Sequence, residues 1–143
     1  MPCFNECRRL SLEGFRPLAE GAFILFVDDG STDGTRASLE RIEEALPGRA
    51  SVLEMPRNSG KAEAVRQGLL AAIGRGAPVV AFLDADLATP AGEMLKLIAL
   101  LEDRSVEAAL GARVGLLGTK IERHPARHYL GRVFATLASL ILD

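Results

Sequence analysis

Apolar residues fall into two kinds of block along this chain. The first kind is short and continuous: residues 22–27 (AFILFV), 51–55 (SVLEM), 78–83 (PVVAFL) and 106–110 (VEAAL). Uninterrupted apolar runs of this length predict strands, and the most apolar, 22–27 and 78–83, predict burial on both faces. The second kind has helical spacing. Residues 35–46 place Leu39, Ile42 and Leu46 on one face, and Pro47 and Gly48 end the segment. Thr32 or Asp33 stands where a cap is needed. Residues 61–74 turn Ala64, Val65, Leu69 and Ala72 inward, residues 91–101 follow Pro90, and residues 127–142 form a last helix. The order βαβαβαβα predicts an α/β fold, an open and mostly parallel sheet with helices on both faces. Ligands of such sheets lie beyond the carboxyl ends of the strands. Asp28, Asp29, Asp84 and Asp86 all fall at such ends.

Composition narrows the classes of partner. The 143 residues suffice for one domain with a core, 48% are apolar, and the net charge is −2. No global basic field recruits nucleic acid, and one Tyr with no Trp leaves few stacking platforms for single strands. Cys3 and Cys7 are spaced CxxxC, unlike redox or zinc pairs, and both read as reduced thiols, Cys3 as a small buried residue near a strand end. The first ten residues contain Asn5, Glu6, Arg8 and Arg9, which is not a secretory leader, and no apolar stretch reaches the ~18–20 residues of a spanning helix. The expectation is a soluble or peripheral protein.

Four stretches carry candidate chemistry. In FVDDGSTDGT (26–35), a carboxylate can accept from a base N–H or a ribose hydroxyl, and Gly30 and Gly34 allow close approach. An Asx turn with a helix cap accounts for Thr32 and Asp33. It does not account for the adjacent pair Asp28 and Asp29, whose repulsion calls for a compensating ligand or cation. In FLDADLATP (82–90), Asp84 and Asp86 are two hard oxygen ligands suited to Mg²⁺ or Mn²⁺ bridged to a diphosphate, although acids also end strands in plain turns. In PRNSGKAEAVRQG (56–68), Gly60 and Lys61 open a helix whose N-terminus favours anions, with a solvated lysine as the plain alternative. The fourth stretch is basic: Arg113, Lys120, Arg123, His124, Arg127, His128 and Arg132. Guanidinium groups suit phosphate, and an apolar run behind a basic start has the composition of an interfacial helix. For any one of these residues, a solvated loop before a core helix is the better explanation.

Taken in order, PCFNE (2–6), FVDDGSTDGT, NSGKAEAVRQG, DADLATP and GAR (111–113) resemble the GT-A fold of family 2 glycosyltransferases. Within that family the chain is similar to the polyprenyl-phosphate and dolichyl-phosphate mannosyl- and glucosyltransferases. The resemblance spans nearly the whole chain, as a single nucleotide-sugar-binding domain over 1–143. It implies that Pro2, Phe4 and Glu6 line the nucleotide pocket and that Val27 and Asp29 hold base and ribose. It also implies that Asp84 and Asp86 bind the metal and diphosphate beside the Ala85 backbone, and that Arg113 reaches the donor or acceptor phosphates. Asp86 and Arg113 carry the catalytic role, and Lys61 joins the site. Against the family pattern, most of the first strand is missing, Ala88 stands where mannosyltransferase relatives often have Gln, and the acceptor part is incomplete.

The implied reaction moves a hexose from GDP-mannose or UDP-glucose to a polyprenyl phosphate with inversion, at the cytoplasmic face of a membrane. An acceptor phosphate is already an anion, so a general base is less needed. Two rivals use similar acids. A haloacid-dehalogenase-type site wants DxDx[TV], but position 88 is Ala. A receiver domain has no use for Asp86 or NSGKAEAVRQG. A third alternative is a truncated, non-catalytic remnant that binds nucleotide sugars.

Overall fold

The computed structural model describes residues 1–103 and 106–111. The chain divides into two compact units, Met1–Leu110 and Gly111–Asp143, and the described residues belong almost wholly to the first. The predicted helix 127–142, the basic stretch 120–132 and Arg113 lie outside them.

The first unit runs β1 (Pro2–Cys3), α1 (Leu12–Gly21), β2 (Ile24–Asp28), α2 (Thr35–Ala45), β3 (Ala50–Glu54), α3 (Lys61–Gly74) and α4 (Ala91–Glu102). The strands form one parallel sheet in the order β1-β2-β3. Pro2 pairs with Val27 and Cys3 with Asp28, while Ile24 through Asp28 pair with Ala50 through Glu54. This parallel α/β arrangement agrees with the sequence, and β2, β3, α2, α3 and α4 lie within a residue or two of their expected positions.

The core forms around β2. Phe26 and Phe15 of α1 are fully buried and meet edge to face, ring centroids 5.0 Å apart at 76°. Leu39 and Ile42 of α2 and Leu46 just after it are buried, as their spacing predicts. Helix α1 was not expected. Phe15, Leu18 and Ala19 have helical spacing and are all buried, but Pro17 inside the segment removes an amide donor and disguises it.

Two expected strands do not form. Residues 78–83 and 106–110 make no ladder among the described residues. For 78–83 the reason is geometric. A cavity of about 500 Å³ lies between β2 and this segment, and β1 supplies only two residues of intervening strand. The segment's C-terminal end is held instead by packing, with Leu83 and Ala85 buried in the core. The same cavity leaves the inner face of α3 incompletely covered: Ala64 is buried, but Val65, Leu69 and Ala72 only partly.

Truncating Phe26→Ala removes a fully buried ring from the centre of this core. It is expected to lower the unfolding free energy by about 3–5 kcal/mol, read as a lower urea midpoint at unchanged slope.

Candidate functional site

The parallel register brings the carboxyl ends of β1 and β2 to one rim, where the chain leaves each strand in a polar loop. The two loops are sewn together. Asn5 N–H donates to Ser31 Oγ (3.1 Å), Thr32 N–H to Asn5 Oδ1 (2.9 Å) and Glu6 N–H to Thr35 Oγ1 (2.7 Å). Asn5 takes a positive φ of 52° to do this, a conformation asparagine tolerates better than most residues. Asp33, rather than Thr32, serves the start of α2: its Oδ1 accepts from the Thr35 N–H at 2.8 Å and from the Thr35 hydroxyl. These donors, with Cys7, hold the Asp33 carboxyl down at about 2.

Asp28 and Asp29 are both buried, at 4% and 2% exposure. Backbone donors supply compensation of the kind their adjacency calls for. Asp28 Oδ1 accepts from Ser31 N–H (3.1 Å). Asp29 Oδ1 accepts from Ser59 N–H (2.7 Å), and its Oδ2 from Gly60 N–H (2.9 Å). The carboxylate thus ties the end of β2 to the residue that opens α3. Gly30 makes this possible: at φ +67°, a Cβ there would lie 2.4 Å from the Arg57 carbonyl carbon.

On the far wall, the chain leaves 78–83 through a turn. Leu87 N–H donates to Asp84 O (3.2 Å), and Ala88 N–H to Asp86 Oδ1 (3.0 Å). Asp84 meets α3 across the cleft, with Lys61 Nζ 2.7 Å from its Oδ1. That oxygen is buried, and the Lys61 ammonium is its partner among the described residues. Glu6 is engaged by Arg9, whose Nη2 lies 2.6 Å from Oε1.

These walls enclose an open cavity of about 210 Å³. Of the ten positions singled out in the sequence, eight line it: Pro2, Phe4, Glu6, Asp29, Lys61, Asp84, Ala85 and Asp86. Val27 does not. It is 1% exposed and lies further back along β2, against Gly68 of α3 and the apolar cavity. Arg113 lies outside the described residues. The sequence reading missed Asn58 and Cys3 as wall residues. Asn58 was visible in NSGK, but only its position beside Asp29 shows that it faces the cleft. Burial pushes the Cys3 thiol up to about 12, which suits the inert role expected of it.

No group of three or more His, Cys, Asp or Glu side chains converges on a point among the described residues. The donor set still fits a hard divalent ion. Asp84 and Asp86 share one wall, Asp84 Oδ1 is met by a mobile lysine ammonium and no backbone donor, and Mg²⁺ or Mn²⁺ commonly takes only one or two carboxylates, with water and phosphate completing the shell.

The model of glycosyl transferase family 2 matches residues 1–141. The chain belongs to that family. Among curated relatives of this glycosyl transferase, the dodecaprenyl-phosphate galacturonate synthase of Rhizobium johnstonii is 31% identical over 116 residues, covering 77% of this chain and 33% of the relative. The polyprenol monophosphomannose synthase of Mycolicibacterium smegmatis is 31% identical over 115 residues, covering 79% and 43%. An uncharacterized glycosyltransferase of Mycobacterium tuberculosis is 35% identical over 118 residues, covering 82% and 49%. The chain therefore spans between a third and a half of the length of these relatives. No solved structure matches it.

Two outcomes test the construction of the site. Asp29→Ala removes the acceptor of the Ser59 N–H and leaves the Gly60 N–H only Asn58 Oδ1 (3.1 Å). It should cost roughly 2–3 kcal/mol in urea unfolding and speed amide exchange at both residues. The Asp33 carboxyl, depressed to about 2 in the folded chain, contributes stability that is complete above its unfolded value near 4 and is lost as pH falls through 2. An NMR titration of its carboxyl carbon should give that low midpoint, and Thr35→Ala should raise it.

Proposed function

We propose that this glycosyl transferase binds a nucleotide-diphosphate sugar in the 210 Å³ cleft and transfers its hexose to a polyprenyl phosphate. The observation that carries this reading is the meeting of Asp29, Lys61, Asp84 and Asp86, from three separate segments, around one cavity beyond the carboxyl ends of β1 and β2. The printed names of two relatives, a dodecaprenyl-phosphate galacturonate synthase and a polyprenol monophosphomannose synthase, support the acceptor class. They differ in the sugar, and GDP-mannose and UDP-glucose are the donors to compare. An acceptor of this kind calls for peripheral contact with the cytoplasmic face of a membrane. No helix among the described residues is long and apolar enough to cross one.

Each wall has a part in this reading. Pro2, Phe4 and Glu6 bound the base and ribose end, with Asp29 beneath them. Asp84 and Asp86 hold Mg²⁺ or Mn²⁺, which supplies charge neutralisation of the diphosphate leaving group. Lys61 stands at the start of α3, where both its ammonium and the helix N-terminus favour phosphate. In the free chain Lys61 rests on Asp84 and shields it, and it is released toward the diphosphate when the donor arrives. An acceptor phosphate oxygen attacks the anomeric carbon from the face opposite the departing diphosphate, giving inversion. The acceptor is already ionised, so no proton need be removed. Arg113 is assigned to the phosphates by family resemblance.

A second reading has one observation in its favour. The segment that ends in Asp84 and Asp86 lacks a ladder partner among the described residues, which leaves the acids less rigidly held than a preorganised transferase requires. On that reading the unit binds a nucleotide sugar without transferring it.

Calorimetry with GDP-mannose and with UDP-glucose, each with and without Mn²⁺, tests both readings. Metal-dependent binding of one donor is expected, reduced at least tenfold in Asp86→Ala. Binding of neither donor would overturn the site. Binding without transfer to a short polyprenyl phosphate would select the second reading. Lys61→Met should tighten Mn²⁺ binding in the absence of nucleotide and weaken donor binding in its presence.

A further inference from the structure

Leu87, between Asp86 and Ala88, takes a positive φ of 51°. Glycine and asparagine adopt that left-handed conformation readily and leucine does not, so the backbone there is strained and its surroundings must hold it. The hydrogen bonds of the turn, Leu87 N–H to Asp84 O and Ala88 N–H to Asp86 Oδ1, give no reason for a leucine at this position. Its side chain does. Leu87 is partly buried and packs against the core. Its Cδ1 lies over Gly14 of α1, so close that a Cβ on Gly14 would come within 2.7 Å of it. The methyl group fills the space that any other residue at 14 would occupy with its own side chain.

The same fit recurs two turns further along the helix. Gly14, Leu18 and Gly21 stand at i, i+4 and i+7, on one face of α1. Leu18 is buried, and a Cβ on Gly21 would lie 2.8 Å from Leu95 Cδ2 of α4. Two notches about 10 Å apart, at 1.5 Å per residue, thus receive two leucines of the segment that leaves the acid turn. On the other side of the acids, Leu83 and Ala85 are buried in the core. Asp86 therefore stands between Ala85, held in the core, and Leu87, seated on α1. Leu87 itself does not line the cleft.

We propose that Leu87, seated on Gly14, is the positioning residue that presents Asp86 to the cleft, so that α1 sets the affinity of the acid pair for a divalent ion. The ion comes from the proposed function, on which this inference rests; the seating of the turn is a property of the free chain. A wider side chain at position 14 pushes Leu87 off its seat. The strained backbone then relaxes by rotating the turn, and the Asp86 carboxylate moves relative to Asp84. Two carboxylates share one small ion only when an oxygen of each lies within coordination reach, and a displacement of about 1 Å is enough to lose that geometry.

The test is Mn²⁺ binding by the full chain, read from the paramagnetic resonance of the free ion, together with amide exchange in the absence of metal. Gly14→Val should weaken Mn²⁺ binding roughly tenfold. Leu87→Gly keeps the left-handed backbone without strain but removes the seated side chain, and should weaken binding roughly threefold or more. In both variants exchange should quicken at Ala88, whose N–H donates to Asp86 Oδ1, and stay unchanged at Ser59 and Gly60 on the other wall. The size-swapped pair Gly14→Val with Leu87→Ala restores the contact with its bulk on the other partner, and should recover most of the lost affinity. Leu87→Gly alters no helix and decides the matter if Gly14→Val does not fold. Parent-like Mn²⁺ binding and Ala88 exchange in Leu87→Gly would overturn the proposal, because the turn would then hold itself. A size-swapped pair no better than Gly14→Val would overturn it as well. Quickened exchange at Ala88 in a chain whose parent binds no Mn²⁺ would support the seat and overturn the metal reading instead.

Discussion

Asp29 sits at the end of the central strand, almost wholly out of solvent, with two carboxylate oxygens that need donors. It finds them in the Ser59 and Gly60 N–H groups, the last before α3 begins. A buried carboxylate without such donors would be costly, so the two hydrogen bonds fix how β2 and α3 meet. Much of the cleft follows from that junction. Gly30 lies against the Arg57–Asn58 backbone with no room for a Cβ, and Asn58 and Gly60 become wall residues. Lys61, one position further, stands opposite Asp84. Loops distant in sequence form one wall because a single acid ties them.

The opposite wall is held by different forces. Asp84 and Asp86 ride on a turn anchored by burial of Leu83 and Ala85, with no ladder beneath it among the described residues. Packing of a few small apolar groups tolerates more displacement than a row of backbone hydrogen bonds, so the acids are the less rigid half of the cleft. The apolar cavity behind them has the same origin. A two-residue β1 supports β2 at its carboxyl end only, and the space further back is bounded by side chains that face one another without touching.

Polar cleft and apolar cavity are thus two consequences of one sheet. At the carboxyl ends, the loops converge and polar groups pair. Toward the amino ends, backbone edges face each other across a gap. Lys61–Asp84 belongs to the first region.

Much of this was legible in the residues themselves. Continuous apolar runs located β2 and β3, helical spacing located α2, α3 and α4, and strand-end acids pointed to the rim, because backbone geometry imposes local periods that side chains must follow. Family membership was legible in five short motifs standing in order. Other features were decided only by tertiary contact. Residues 78–83 have every local mark of a buried strand, yet a strand exists only when a neighbouring backbone lies within hydrogen-bond reach, and here a cavity intervenes. The adjacency of Asp28 and Asp29 suggested a compensating ligand or cation; the amides that donate to Asp29 are brought from thirty residues away, which no local pattern records. Sequence dictates what each segment prefers to be; which segments meet, and so which polar groups are satisfied and which stand open to a ligand, is settled by the packing of the whole chain.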